Sequence, residues 1–304
     1  MQIIRSLDDY HAGAGLLLTI GVFDGVHVGH RAVLDHLRAH KTPETAVAAL
    51  TFEHHPLEFL HPGQAPKALT TMAEKINLLD ACGIDLLFIL PFDERIAQLD
   101  ARAFLEDVLL DKLHTRLLVV GGNWQFGHDR TGDVDLAKQV LLERGCDVHI
   151  ESLLSRDGQR VSSSHIRALL EQRRFDEADE LLGSPFTVRG TVRGGYGKGH
   201  VFGVPTANLD ISPDKLVPVP GVYAATARYD GTDHAAVVSI GDKPTLPGRH
   251  DMAVEVHILD FDRSIYGEEI AVRDWRFLRE QERFASIDEL VAQMKRDIEH
   301  ARAG

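Results

Sequence analysis

The amino-acid sequence predicts two domains: an α/β domain of the Rossmann-like class, followed by a small antiparallel β-barrel with a C-terminal helix. Up to about residue 152, short apolar runs alternate with helical patterns, which is typical of a parallel sheet covered by helices. Beyond residue 183 the apolar segments are short, often alternating and rich in β-branched residues, which favours antiparallel strands. The 304 residues suffice for two hydrophobic cores. We therefore expect one domain at 1–183 and another at 184–304.

Five strands and four helices are predicted to alternate in the first domain. The predicted strands are 16–22, 46–52, 84–90, 116–121 and 147–151. The predicted helices are 30–40, 72–82, 101–113 and 134–144. Three signals mark helix ends: a capping box of Thr71 and Glu74, an N-cap at Asp100 and a stop at Gly145. In open sheets of this class, ligands bind beyond the carboxyl ends of the strands.

The second domain is predicted to consist of strands and one final helix. The predicted strands are 187–193, 221–229, 235–240, 252–261 and 269–273. Ser286 and Glu289 form a second capping box, and an apolar stripe follows at Ile287, Leu290, Val291, Met294 and Ile298. We expect this stripe to pack against the barrel as core.

The composition excludes several classes of partner. The formal net charge is −13, so the chain has no basic excess to neutralise nucleic-acid phosphates or an acidic membrane surface. A small polyanionic substrate would therefore be held by local positive charge, backbone N–H groups and a metal ion. The two cysteines, Cys82 and Cys146, form no C-x-x-C motif, which favours free thiols in a reducing cytosol. The N-terminus lacks a signal peptide and no apolar run reaches membrane-spanning length, so we expect a cytoplasmic protein. Its oligomeric state stays open, a homo-oligomer included.

The most informative stretch follows the first predicted strand: Gly21-Val22-Phe23-Asp24-Gly25-Val26-His27-Val28-Gly29-His30. His27 and His30 lie at a predicted helix start, where N–H groups and the helix dipole favour an anion. Gly29 has no side chain to obstruct a flat base or a phosphate. The stretch thus predicts a nucleoside triphosphate site, with two ordinary turn histidines as the competing interpretation. A metal site at these histidines is disfavoured because no third histidine or cysteine pair accompanies them.

This stretch resembles the H-x-G-H signature of the nucleotidylyltransferase superfamily. Its extended form, G-x-F-D-G-V-H-x-G-H, is similar to that of the prokaryotic bifunctional riboflavin kinase/FMN adenylyltransferase (FAD synthetase) family. Two later stretches add to the resemblance: residues 161–167 are similar to I-S-S-T-x-I-R, and residues 121–127 to G-x-D/N-F-x-F-G. The resemblance implies that the first domain transfers the adenylyl group of ATP to FMN and releases pyrophosphate.

The resemblance also implies residue roles in this first site. His27 and His30 would stabilise the α- and β-phosphates of ATP, and Arg167 the departing pyrophosphate. Further nucleotide- or flavin-binding residues would be Asp24, Gly29, Asn123, Ser162, Ser163 and Ser164. Such transfers depend on positioning and on neutralisation of developing charge, with Mg²⁺ sharing the task. No nucleophile or obligatory base is assigned, because the FMN phosphate is already largely ionised at neutral pH.

A second site is implied in the barrel. Residues 203–208 resemble the G-F-P-T-A-N signature of riboflavin kinases, in which the Thr206 hydroxyl and the Asn208 amide would hold Mg²⁺ against the nucleotide phosphates. The glycine cluster at 194–199 lacks Walker spacing, yet with Lys198 it can wrap phosphates. Residues 254–261 match V-E-x-H-I-L-D-F, which makes Glu255 the catalytic base toward the ribityl hydroxyl of riboflavin. Arg279 lies in a segment similar to the family's flavin-facing one.

The resemblance implies a bifunctional enzyme that uses ATP, riboflavin and FMN, and two alternatives remain. The first alternative is a riboflavin kinase whose adenylyltransferase domain is impaired, because departures from the family pattern cluster around the first site. His165 stands where Arg is usual, His128 where Lys is common and His54 where Pro is usual. The other is a catalytically silent flavin or nucleotide sensor. It would require the loss of Glu255, Thr206 or Asn208, and all three are present.

The substitutions at His165 and His128 predict a pH dependence of ATP binding. An unperturbed histidine is largely neutral at pH 7 and gains a positive charge as the pH falls. ATP should therefore bind the first site more tightly as the pH is lowered from 8 to about 6. Titration of ATP binding across this range measures the effect, and a flat profile would contradict it.

Overall fold

The computed structural model contains a parallel sheet in the first half of the chain and a closed antiparallel barrel in the second half. It describes residues 1–152, 155–156, 159–194, 204–246 and 249–303, of which 155–156 and 242–251 are described by their backbone alone. The chain divides into two units, Met1–Ser163 and Ser164–Gly304. Within the described ranges, every helix is too short or too polar to cross a membrane.

The sheet of the first unit has six strands, and every neighbouring pair is parallel. The strands are β1 (Gln2–Ile4), β2 (Gly15–Ile20), β3 (Thr45–Phe52), β4 (Leu86–Leu90), β5 (Thr115–Gly121) and β6 (Asp147–Glu151). Their order is β1-β4-β3-β2-β5-β6. The chain proceeds outward from β2 to β4 and then returns to the other side of β2 with β5. The topological switch point therefore lies between β2 and β5, where this class of sheet forms a ligand crevice.

Helices cover both faces of this sheet. They are α1 (Val28–Ala39), α2 (Pro56–Leu60), α3 (Met72–Ala81), α4 (Glu94–Ala97), α5 (Ala101–Ala103, continued by a π-helix over Phe104–Lys112) and α6 (Val134–Glu143). A short hairpin, β7 (Ser155–Arg156) with β8 (Gln159–Arg160), follows. Successive residues of β2 enter opposite cores, Leu16 and Leu18 on one face and Leu17 on the other, as the pleat requires.

The predicted helix ends of the first unit are confirmed. The backbone N–H of Glu74 donates to the Thr71 hydroxyl at 3.2 Å, and the Thr71 N–H donates back to the Glu74 carboxylate at 2.8 Å. Asp100 accepts from two backbone N–H groups at 2.8 and 3.2 Å. Gly145 has a φ of 74°, in the left-handed region that ends helices. Strand β1 was not predicted, because three residues are too few to show a period.

The second unit contains a closed six-stranded barrel in the order β10-β13-β12-β11-β14-β9. Its strands are β9 (Val188–Arg193), β10 (Ala207–Asp210), β11 (Gly221–Tyr229), β12 (Thr232–Leu246), β13 (Arg249–Ile258) and β14 (Glu269–Arg279), all paired antiparallel. Helix α7 (Ser163–Glu171) and helix α8 (Phe175–Leu182) precede the barrel, and α9 (Ile287–Arg302) follows it. The fold class predicted from the sequence is confirmed, although β10 and α8 were not predicted.

Helices α7 and α8 pack with the barrel through the segment that joins them. The Arg173 guanidinium lies 3.8 Å from the centre of the Phe277 ring and donates to the Glu280 carboxylate at 2.7 and 2.8 Å. The Phe175 ring contacts the rings of Tyr223 and Trp275, with ring centres 5.9 and 6.5 Å away. The packing therefore divides the chain at Ser163, whereas the functional division after residue 183 stays a prediction.

The apolar stripe predicted on α9 is only partly correct. Four of its members are half-buried, but Ile287 is 57% exposed. The buried residue of α9 is Asp297, which is 2% exposed and accepts from the Arg279 guanidinium at 3.0 and 2.8 Å. A charged pair, rather than an apolar contact, thus anchors the middle of this helix to β14.

We predict that Asp297→Ala destabilises the second unit by about 2–3 kcal/mol, because the largely buried Arg279 guanidinium loses its charged partner. The cost is moderate because water still reaches part of this guanidinium. Glu299→Ala, an exposed position on the same helix, should change the free energy of unfolding by no more than about 0.5 kcal/mol. Urea unfolding measured by Trp275 fluorescence in a Trp124→Phe background reports the second unit, since the chain has only two tryptophans. Equal effects of the two substitutions would contradict the prediction.

Candidate functional site

The turn after β2 has an unusual backbone that one buried carboxylate holds. Phe23, Gly25 and Val26 have φ values of 51°, 82° and 40°, and such values are strained for a β-branched residue such as Val26. The Asp24 carboxylate accepts from the backbone N–H groups of Leu69 and Thr70, both at 3.1 Å. The segment before α3 thereby fixes a conformation that the turn would not adopt by itself.

This turn delivers His27 to the N-terminus of α1. His27 is the N-cap, and its Nδ1 accepts from the backbone N–H of His30 at 3.4 Å. The two imidazole rings stack with their centres 3.6 Å apart. A Cβ on Gly29 would lie 3.2 Å from the His27 ring, tighter than most side-chain contacts, so the absence of a side chain there preserves the stack. Within the described residues, the buried His30 Nδ1 has no hydrogen-bond partner.

Burial determines the protonation of both histidines. It lowers the pKa of His27 to about 4, against a smaller opposing effect of Asp24. It also lowers the pKa of His30 well below the ordinary value, with help from His27 and Lys75. Both imidazoles are therefore neutral at pH 7 and offer N–H donors rather than positive charge.

Lys75 is a residue of this site that the sequence analysis missed. It lies buried in the first turn of α3, where burial lowers its pKa and Asp24 opposes that shift. The available signal was a lysine one residue beyond the Thr71–Glu74 capping box. Because its charge acts on both Asp24 and His30, Lys75 brings a cation to the neighbourhood of the histidine pair.

The predicted serine stretch meets the same turn. The Ser163 hydroxyl, at the first residue of α7, donates to the backbone carbonyl of Asp24 at 3.0 Å. This bond joins two motifs that are 139 residues apart in the chain. Ser162 is half-buried and Ser164 is exposed. Arg167 lies one turn further along α7, and its role stays a prediction.

A cleft follows β5, the strand beside β2. Its volume is about 290 Å³, and its lining consists of Gly122, Asn123, Trp124, Gln125, Arg130, Asp133 and Val134. The ring of Trp124 stacks on Phe126 with ring centres 4.1 Å apart. A Cβ on Gly127 would overlap Ala101 at 2.6 Å, so only glycine fits there. His128 Nδ1 donates to the Ala97 carbonyl at 3.0 Å and holds this loop to the end of α4.

The barrel brings Asn208 and Glu255 together. They face each other as registered partners on β10 and β13, and Ser239 of β12 is the partner of Glu255 on the other side. Side chains of registered antiparallel partners project from the same face of the sheet. Glu255 is half-exposed between the buried Val254 and Val256, so this face is the outer surface of the barrel.

Thr206 precedes β10 in a segment that His257 holds. His257 Nδ1 donates to the Pro205 carbonyl at 2.7 Å, and His257 lies on the same face of β13 as Glu255. The sequence analysis gave His257 no role, although its spacing of two residues from Glu255 was a signal. The Thr206 hydroxyl, the Asn208 amide oxygen and the Glu255 carboxylate are hard oxygen donors, which fit Mg²⁺. Lys198 and the rest of the glycine cluster after Gly194 lie outside the described residues.

The structure gives Arg279 a contact within its own unit. Its guanidinium donates to both carboxylate oxygens of Asp297 and to the Glu280 carbonyl at 3.0 Å. Its flavin-binding role stays a prediction.

Comparison with known proteins gives consistent matches for both halves of the chain. The family model described as FAD synthetase matches residues 10–165, and the one described as riboflavin kinase matches residues 182–304. A bifunctional riboflavin kinase/FMN adenylyltransferase of Escherichia coli (strain K12) is 37% identical, over 99% of this chain and 97% of the relative. That of Pseudomonas fluorescens is 36% identical, over 100% and 97%. A solved structure described as a macrolide-efflux protein from Streptococcus pneumoniae superposes with a TM-score of 0.88 at 28% identity, covering 99% of this chain and 98% of its own.

We predict that His27 titrates near pH 4, well below the ordinary histidine value of 6.5, because its protonated form is buried. As the pH falls, the unfolded chain binds a proton at His27 near pH 6.5, whereas the folded chain does so only near pH 4. The folded state should therefore lose about 2 kcal/mol of stability between pH 7 and pH 5. NMR of ¹³C-histidine-labelled protein measures the midpoint, and His27→Asn assigns the resonance. A midpoint near 6.5 would show that the ring is solvated.

Proposed function

This chain belongs to the bifunctional riboflavin kinase/FMN adenylyltransferase family, and on that premise we propose which of its residues carry each activity. The enzyme phosphorylates riboflavin to FMN and adenylylates FMN to FAD. We assign adenylyl transfer to residues 1–183 and the kinase to residues 184–304. Two family models that follow one another along the chain are the observation that carries this proposal.

In adenylyl transfer, a phosphate oxygen of FMN attacks the α-phosphorus of ATP and pyrophosphate leaves. His27 and His30 donate hydrogen bonds to the α- and β-phosphates as neutral imidazoles, at a helix N-terminus that favours anions. Donors held in place by burial and stacking need no reorganisation when charge develops in the transition state. Lys75 and Arg167 supply the positive charge that neutral imidazoles lack, Arg167 toward the departing pyrophosphate.

The nucleotide and flavin occupy the crevice at the switch point of the sheet. Asp24 holds the conformation of the turn that faces the nucleotide, and Gly29 leaves room beside His27. Ser162, Ser163 and Ser164 offer hydroxyls near the start of α7. Asn123 lies in the cleft after β5, where the Trp124 ring, held by stacking on the buried Phe126, lines a surface suited to an aromatic ligand.

In the kinase reaction, Glu255 takes the proton from the terminal ribityl hydroxyl of riboflavin, whose oxygen then attacks the γ-phosphorus of ATP. Thr206 and Asn208 would hold Mg²⁺, which neutralises phosphate charge when bound. Registration of Asn208 with Glu255 supports this assignment, because it brings a ligand of the phosphate-bound ion within one strand spacing of the base. Lys198 and Arg279 complete the proposed binding residues.

The kinase-only alternative finds no support in the comparisons, because the FAD synthetase model covers residues 10–165 and full-length relatives are bifunctional. We infer small-molecule substrates and no nucleic-acid partner from the net charge of −13. Free Cys82 and Cys146 support a reducing, cytoplasmic location, and burial raises the pKa of Cys146 to about 12.

We predict that Glu255→Gln lowers FMN formation from riboflavin by at least about a hundredfold, because the amide cannot accept the hydroxyl proton. FAD formation from supplied FMN should be unchanged. Glu269→Gln, on barrel strand β14, which does not pair with β13, is the matched control and should leave both reactions intact. Chromatography of products made from riboflavin, and separately from FMN, with magnesium-ATP measures both activities.

The reciprocal variant is His30→Asn, which should lower FAD formation by about a hundredfold through the loss of a preorganised donor. FMN formation should remain. Loss of both activities in either variant, with the folded state intact by circular dichroism, would contradict separate sites.

A further inference from the structure

Three side chains that suit a metal ion meet in the first unit, and none of them is among the residues assigned above. They are His36 of α1 with His149 and Glu151 of β6, and their ligand atoms all lie within 4.8 Å of one another. In the part of the chain that the structure describes, this is the only such group of histidine, cysteine and acidic side chains. We assign none of the three a role in either reaction.

The fold explains why they meet. His149 and Glu151 are two residues apart on β6, so both project from the same face of the sheet. Val148 and Ile150, which alternate with them, pack into the core on the opposite face. Helix α1 covers the face that bears His149 and Glu151, because it packs on β2 and β5 beside the edge strand β6. The His36 side chain on α1 therefore lies against the face of β6 that bears His149 and Glu151.

The distances suit a shared ion better than a direct bond. A single Glu151 oxygen, Oε2, lies 3.7 Å from His36 Nδ1 and 3.7 Å from His149 Nε2. Both separations exceed hydrogen-bond length. Two ligands of a tetrahedral zinc ion, each at about 2.1 Å, are separated by about 3.4 Å. Small side-chain movements would therefore close the three groups around one ion.

We propose that His36, His149 and Glu151 form a binding site for a divalent transition-metal ion of the zinc type. Two imidazoles and one carboxylate are a common ligand set for zinc, whereas Mg²⁺ and Ca²⁺ prefer oxygen ligands throughout. The side chains of His36 and Glu151 are 24% and 21% exposed, so solvent reaches the site and water completes the coordination. The bound ion links α1 to the edge of the sheet.

A competing interpretation is a cluster that binds no ion, in which the three side chains only pack against one another. The His36 and His149 rings stack with centres 3.8 Å apart, an arrangement that two neutral rings also adopt without an ion. Direct metal titration separates the two interpretations.

The experiment titrates Zn²⁺ into EDTA-treated, dialysed full-length protein without ATP or flavin, with calorimetry as the readout and a chromophoric chelator as competitor. One saturable site per chain is expected. His149→Gln and Glu151→Gln should each weaken zinc binding by more than about a hundredfold, the upper end of what loss of an outer hydrogen-bond partner to a ligand costs. His11→Gln, an exposed histidine in the same unit, should bind zinc as the wild type does.

His30→Asn tests whether the His27–His30 pair contributes to zinc binding, and this variant should bind zinc as the wild type does. Melting of each metal-free variant by circular dichroism verifies its fold, and a zinc-dependent rise in melting temperature should be present in the wild type but lost in His149→Gln. Absence of a saturable site in the wild type would overturn the proposal. So would zinc binding that survives His149→Gln and Glu151→Gln, or that disappears in His30→Asn.

Discussion

The adenylyltransferase half of this enzyme depends on the buried carboxylate of Asp24. Its hydrogen bonds to the backbone of Leu69 and Thr70 hold a turn in which Phe23, Gly25 and Val26 all have positive φ. That turn ends β2 and begins α1, so it determines where the helix N-terminus and its histidine N-cap lie. Ser163 then bonds the carbonyl of the same residue, which ties a distant motif to this turn. Backbone strain persists here because tertiary contacts over-determine it.

Burial, rather than residue identity, sets the chemistry of the histidine pair. Desolvation keeps His27 and His30 neutral at physiological pH, so each ring can offer a hydrogen bond but no positive charge. The positive charge for a triphosphate must come from other side chains, and Lys75 is the buried cation that acts on His30. In the proposed site, this histidine motif would therefore bind phosphate without a positive charge on its imidazoles.

The two sites proposed above are built in physically different ways. The first lies at the carboxyl edge of a parallel sheet and consists of loops and helix starts that long-range hydrogen bonds position. The second lies on the outer face of a closed barrel, where strand register fixes Asn208 against Glu255. Closure of the barrel leaves no free edge along which this register could slip. In the first site hydrogen-bonded loops hold the polar groups in place before substrate binds, and in the second site the pairing of barrel strands has the same effect.

The sequence by itself determined the fold class, the helix caps at Thr71 and Asp100 and the two reactions, because periodicity, capping and contiguous motifs are local properties. It missed β1 and β10, which are too short to show a period. It also overestimated the burial of Ile287, because the apolar stripe of a helix does not reveal which of its residues contact the barrel. Only the tertiary structure decided the neutrality of His27, the pairing of Asp297 with Arg279 and the meeting of His36 with His149 and Glu151. Each of these follows from desolvation or contact between residues far apart in the chain, which no local pattern encodes.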